Sequence, residues 1–121
     1  MILVVDDDFS FLELASKILN RDRQVFLATD ATKAFEMAKH LGFSVVLVDL
    51  DLKGKDGLSL IQKMRESFPS VSIIAISSLL TGVDLDAARK LGVAEILHKP
   101  ITAEWKPVVE RVRARKGTGL K

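Results

Sequence analysis

Cysteine is absent from the 121 residues, which excludes a disulfide framework, a zinc–thiolate centre and any thiol nucleophile. Histidine is scarce: His40 and His98 stand far apart in different contexts, so a His-based metal cluster is excluded as well. No apolar run approaches the ~20 residues of a membrane-spanning helix. The opening Met1-Ile2-Leu3-Val4-Val5 runs straight into three acids and does not have the form of a signal peptide. A soluble, cytoplasmic chain is the expectation, with no membrane partner. No internal repeat and no interior linker are visible. Only Gly117-Thr118-Gly119 has a flexible composition, so residues 116–121 are expected to be a flexible basic tail or the start of a linker.

What is present is a core-forming composition, 48% apolar and 28% charged, of one-domain length. The net charge of +2 is uneven. Twelve Lys and Arg face fifteen Asp and Glu up to Trp105, and six face one beyond it. The basic tail reads as a solvated helix face. It is too short to supply a helix-turn-helix, so direct nucleic-acid binding is not expected.

Five apolar runs recur: Ile2–Val5, Val25–Ala28, Val45–Val48, Ile73–Ile76 and the weaker Ile96-Leu97. Most are continuous rather than alternating, as strands buried on both faces must be. Helical spacing lies between them. Phe11, Leu12, Leu14, Ala15, Ile18 and Leu19 mark the first helix, with Ser10 as its start. Ala34, Phe35, Ala38 and Leu41 mark the second, closed by Gly42 in a left-handed cap. Leu58, Ile61 and Met64 mark the third, stopped before Pro69. Leu85, Ala88 and Leu91 mark the fourth, between an Asp84 N-cap and Gly92. The fifth runs from about Ala103 to Ala114, where Pro107 is tolerable only in the first turn. Strand–helix alternation repeated five times implies a three-layer α/β fold around a parallel sheet.

Ligands in such sheets gather beyond the carboxyl ends of the strands. The first strand ends in Asp6-Asp7-Asp8, the third in Asp49-Leu50-Asp51 and the fourth in Ser77-Ser78, while the fifth leads into Lys99-Pro100. Taken singly, an acidic strand end is more often a cap or a turn. Taken together, several carboxylates need a counter-cation, and an all-oxygen donor set selects a hard ion such as Mg²⁺. A carboxylate beside Mg²⁺ and an ammonium is suited to attack phosphorus, with a hydroxyl donating to the phosphoryl oxygens.

In this order and spacing the residues resemble the receiver domain of bacterial two-component response regulators, of the chemotaxis-regulator type, over residues 2 to about 115. The segments that carry the resemblance are Ile2-Leu3-Val4-Val5-Asp6-Asp7-Asp8 and Val45-Val46-Leu47-Val48-Asp49-Leu50 with Gly54 and Asp56-Gly57. Ile73-Ile74-Ala75-Ile76-Ser77 and Gly92-Val93-Ala94-Glu95-Ile96-Leu97-His98-Lys99-Pro100 complete the set. The resemblance implies a flavodoxin-like sheet of order 2-1-3-4-5 with five helices, and a receiver domain over residues 1–115. It makes Asp49 the phosphoacceptor, Ser77 and Lys99 its phosphoryl-binding partners, and Asp7, Asp49 and the backbone carbonyl of Asp51 ligands of Mg²⁺. Asp6 acts on the metal through water, and Lys99-Pro100 is cis.

By the same resemblance the donor is a sensor histidine kinase or phosphotransfer protein. The switching face is helix 4, strand 5 and helix 5, which would meet an output protein or a second copy. No small-molecule turnover is expected. Four features depart from the pattern, one of them Ser78 in place of a frequent alanine, which adds a hydroxyl near the expected phosphoryl pocket. Ile96 stands where many receivers carry an aromatic ring, which shifts the expected signal to the loop 79–84, containing Gly82, and the fourth helix. Lys53 replaces a common proline. Asp51 adds a carboxylate that either points to solvent or faces the incoming donor. His98 reads as an exposed side chain. Trp105 either covers the sheet edge or serves with Arg111 as a contact residue of the switching face. Two other readings remain: a pseudo-receiver that binds partners without phosphorylation, and a haloacid-dehalogenase-type phosphatase, whose Asp-x-Asp segment Asp49-Leu50-Asp51 resembles.

Overall fold

The computed structural model describes residues 1–19, 24–52, 57–78, 81 and 85–118, with side chains up to residue 115. Five strands and five helices alternate: β1 (Ile2–Val5), α1 (Phe9–Leu19), β2 (Val25–Ala28), α2 (Ala31–His40), β3 (Val45–Asp49), α3 (Gly57–Ser67), β4 (Ser72–Ser77), α4 (Leu85–Lys90), β5 (Glu95–His98) and α5 (Trp105–Thr118). The strands form one parallel sheet in the order β2-β1-β3-β4-β5. No described helix is long and apolar enough to cross a membrane.

The alternation of side chains along each strand divides the core in two. Leu3, Val5, Val46, Val48, Ile73 and Ala75 pack beneath Ala34 of α2, Leu60, Ile61 and Met64 of α3, and Ala88 of α4. Ile2, Val4, Val45, Leu47, Ile74 and Ile76 pack beneath Phe11, Leu12 and Ala15 of α1 and Trp105, Val109 and Val112 of α5. Burial from both sides explains why the central strands are apolar without interruption.

Several helix ends differ from the sequence expectation. The first helix is capped by Asp8, not begun by Ser10: Asp8 Oδ1 accepts from the backbone N–H of Ser10 at 3.0 Å and of Phe11 at 3.3 Å. A carboxylate at that position also suits the positive end of the helix dipole. Gly42 does not form a left-handed cap. Leu41 leaves α2 in extended conformation, its N–H donating to the Met37 carbonyl. Gly92, at φ 86°, does take the left-handed conformation after α4. Pro107 falls in the first turn of α5, which runs to Thr118. Asp84, Gly82, Lys53, Gly54, Asp56 and Gly119 lie outside the described residues.

Candidate functional site

The carboxyl ends of β1, β3, β4 and β5 deliver Asp6, Asp49, Ser77 and Lys99 to one edge of the sheet. Backbone hydrogen bonds hold these ends in line. The Asp6 N–H donates to the Ala28 carbonyl, the Leu50 N–H to Ile76 and the Lys99 N–H to Ser77. The Lys99-Pro100 bond is cis, as the resemblance implied.

Asp6 is fully buried. Its Oδ1 accepts from the Asp8 N–H at 2.9 Å, and its Oδ2 lies 2.8 Å from the Lys99 ammonium. The ammonium is the partner of Oδ2 by charge, and no hydrogen bond of good geometry reaches that buried oxygen. Burial raises the Asp6 pKa against the opposing pull of Lys99. Asp49 is 3% exposed, with Oδ1 accepting from the Asp51 N–H at 3.1 Å and Oδ2 3.9 Å from Lys99. Burial pushes its carboxyl up to about 6, the Asp51 N–H offsets part of the shift, and the neighbouring Asp6 charge adds to it.

Burial works against the Lys99 ammonium, but the adjacent Asp6 and then the Asp49 charge outweigh it, and the Lys99 pKa ends above its ordinary value. The ammonium also sits 4.5 Å from the centre of the Phe11 ring, which meets Trp105 edge-on at 5.8 Å. That stack fixes both aromatic residues. Trp105 is buried, at 4% exposure, and so packs on the sheet. It is not a contact residue of the α4–β5–α5 face. The sequence marked Phe11 as core without showing that it lies under the lysine.

One carboxylate oxygen each from Asp6, Asp7 and Asp49 lie within 4.8 Å of one another. Three clustered carboxylate oxygens make a hard donor set that fits a small cation such as Mg²⁺. Asp51 is exposed and is not turned to solvent alone: its carboxylate accepts from the Thr81 hydroxyl. Gly57 opens α3 directly against β3. Its N–H donates to the Leu50 carbonyl, and a Cβ there would overlap the Asp49 carbonyl oxygen and stand 2.8 Å from the Leu50 Cα. Ser77 is buried, and its Oγ lies 2.5 Å from Nδ1 of the exposed His98, a contact the sequence did not reveal.

A doubly wound sheet with buried carboxylates and a lysine at its carboxyl edge defines a flavodoxin-like protein. The response regulator receiver domain family matches residues 2–106, and the chain belongs to it. The DNA-binding response regulator MtrA of Mycobacterium tuberculosis (strain ATCC 25618 / H37Rv) is 31% identical over 115 residues, 94% of this chain and 49% of that protein. A protein-glutamate methylesterase/protein-glutamine glutaminase of Burkholderia thailandensis is 33% identical over 104 residues, 83% of this chain and 29% of that one. The crystal structure of the NtrX receiver domain from Brucella abortus superposes with a TM-score of 0.84 at 26% identity, covering 94% of this chain and 98% of that one. The chain spans about half or less of the length of these curated relatives.

Proposed function

We propose that this receiver domain is a phosphoacceptor whose nucleophile is Asp49. The observation that carries the reading is the convergence of a buried Asp49 carboxylate and the Lys99 ammonium at the end of the central strand. A carboxylate oxygen of Asp49 attacks the phosphorus of a phosphohistidine. The phosphorus–nitrogen bond breaks, the imidazole leaves with the electron pair, and an acyl phosphate remains. Lys99 balances the charge on the equatorial oxygens, and Ser77 donates to one of them. Asp7, Asp49 and the Asp51 carbonyl would hold Mg²⁺, with Asp6 acting through water; the bound ion would share the phosphoryl charge. Asp6, held by Lys99 and the Asp8 N–H, keeps the ammonium aimed at the pocket.

The donor is a sensor histidine kinase or a phosphotransfer protein in the cytoplasm. The output is binding by the α4–β5–α5 face to an effector or to a second copy, with no small-molecule turnover. Incubation with phosphoramidate and Mg²⁺, which offers the same phosphorus–nitrogen bond as phosphohistidine, should add one base-labile phosphoryl group per chain. Failure of the wild-type protein to accept phosphate from phosphoramidate or acetyl phosphate would favour the pseudo-receiver. Steady hydrolysis of a generic phosphate ester would favour the phosphatase.

A further inference from the structure

Asp6 follows Ile2 and Val4 in the alternation of β1, Asp49 follows Val45 and Leu47, and Lys99 follows Leu97. Their side chains leave the sheet on the side of α1 and α5. Ser77 has the opposite parity. It follows Ile73 and Ala75 on the side of α2, α3 and α4, and its register partner His98 follows Ile96 on that same side. The Ser77 Oγ accordingly lies along the sheet beside His98 Nδ1, 2.5 Å away. His98 itself is exposed and borders a cleft of about 340 Å³ lined by Arg89, Val93, Ala94, Glu95 and Ile96.

We propose that His98 is a positioning residue that latches Ser77 in the resting chain, and that release of this latch carries the state of Asp49 to the β5 edge. The inference rests on the phosphoacceptor reading above. In the tautomer with its proton on Nε2, His98 accepts at Nδ1 from the Ser77 hydroxyl, which has one proton to donate and cannot direct it to His98 and to a phosphoryl oxygen at once. A hydrogen bond to the charged phosphoryl group is the stronger of the two, so phosphorylation turns Ser77 about its Cα–Cβ bond and frees Nδ1. The change appears on the exposed ring beside the cleft, where a partner reads it, while Ile96 only repacks. An aromatic ring at position 96 is then unnecessary, because the imidazole two residues on supplies the readout.

The latch opposes the active state, so its removal should help a phosphoryl mimic to bind. Beryllofluoride with Mg²⁺, titrated calorimetrically, should bind His98→Ala about three- to tenfold more tightly than the wild type, the worth of one hydrogen bond. His98→Asn, whose amide reaches the position of Nδ1, should restore the wild-type affinity. In a Ser77→Ala background the His98→Ala effect should vanish, which a merely structural role for His98 would not produce. In the resting protein, without metal or fluoride, Ser77→Ala should shift the His98 imidazole resonances. Equal or weaker binding by His98→Ala overturns the latch while leaving the phosphoacceptor reading intact, as does an effect that persists without the Ser77 hydroxyl. No beryllofluoride binding by the wild type overturns both.

Discussion

Lys99 places its ammonium 2.8 Å from Asp6 Oδ2 and 3.9 Å from Asp49 Oδ2, which makes the buried Asp6 the anchor that aims the lysine at Asp49. The pair is asymmetric, because Asp6 is wholly buried whereas the Lys99 side chain is 23% exposed. Removing the lysine strands a buried charge, whereas removing the carboxylate leaves a cation that can reach water.

Lys99→Met should therefore destabilise the metal-free protein by about 1–3 kcal/mol at neutral pH, as breaking a partly buried pair does. It should also slow phosphoryl uptake by about a hundredfold, the scale of losing one charge-stabilising donor. Urea denaturation and the rate of labelling by acetyl phosphate check the two effects separately. A variant that unfolds like wild type would show that the ion pair does not anchor the site.

Asp7 is the exposed member of the carboxylate trio, so it can be removed without opening the core. Mg²⁺ should raise the melting temperature of the wild type, by about 3 kcal/mol of stability at a concentration a hundred times its Kd. Asp7→Ala should abolish that response and leave the metal-free protein as stable or more so, since one repulsive neighbour has gone. An undiminished Mg²⁺ response in the variant would contradict the ligand assignment.

Burial raises the Asp49 carboxyl from 3.8 to about 6, so the folded chain binds that proton more tightly than the unfolded one. The sign follows: metal-free stability declines as the pH rises through this interval, by an amount on the order of 1–3 kcal/mol. Asp6, raised by burial too, acts in the same direction, so Asp49→Asn should flatten the decline without removing it. Chelator-treated protein unfolded in urea at about pH 4 and about pH 7 measures this difference. Stability that increases over the interval, and does so equally in Asp49→Asn, would contradict the burial argument.

Gly57 is needed for space: a Cβ there would meet the Asp49 carbonyl and the Leu50 backbone. Gly57→Ala should cost about 1–3 kcal/mol, in the range of other overpacked sites, and should displace the end of β3. Thermal melts and labelling rates should both decline, and unchanged values for both would contradict the close approach.

The strands and the carboxylates were legible because both write themselves locally. A strand buried on two faces must be apolar throughout, and each acid directly follows such a run. The helix caps were less so. Three consecutive aspartates can each cap a helix, and only the backbone path selects Asp8. Gly42 had the chemistry of a left-handed cap, but Leu41 leaves the helix extended and removes the need for one. The fate of Trp105 depended on Phe11, nearly the whole chain away, and the Ser77–His98 contact on the register of β4 against β5. Periodicity within one segment contains neither relationship.

The most direct test of the account is chemical identification of the phosphorylated side chain. Borohydride reduces an acyl phosphate to an alcohol, so an aspartyl phosphate becomes homoserine at the position that carried the phosphoryl group. After labelling with phosphoramidate and Mg²⁺, reduction and peptide sequencing by mass spectrometry, the account predicts homoserine at position 49 and nowhere else. Homoserine at position 6, 7 or 51, or wild-type protein that carries phosphate with position 49 still aspartate, would contradict it.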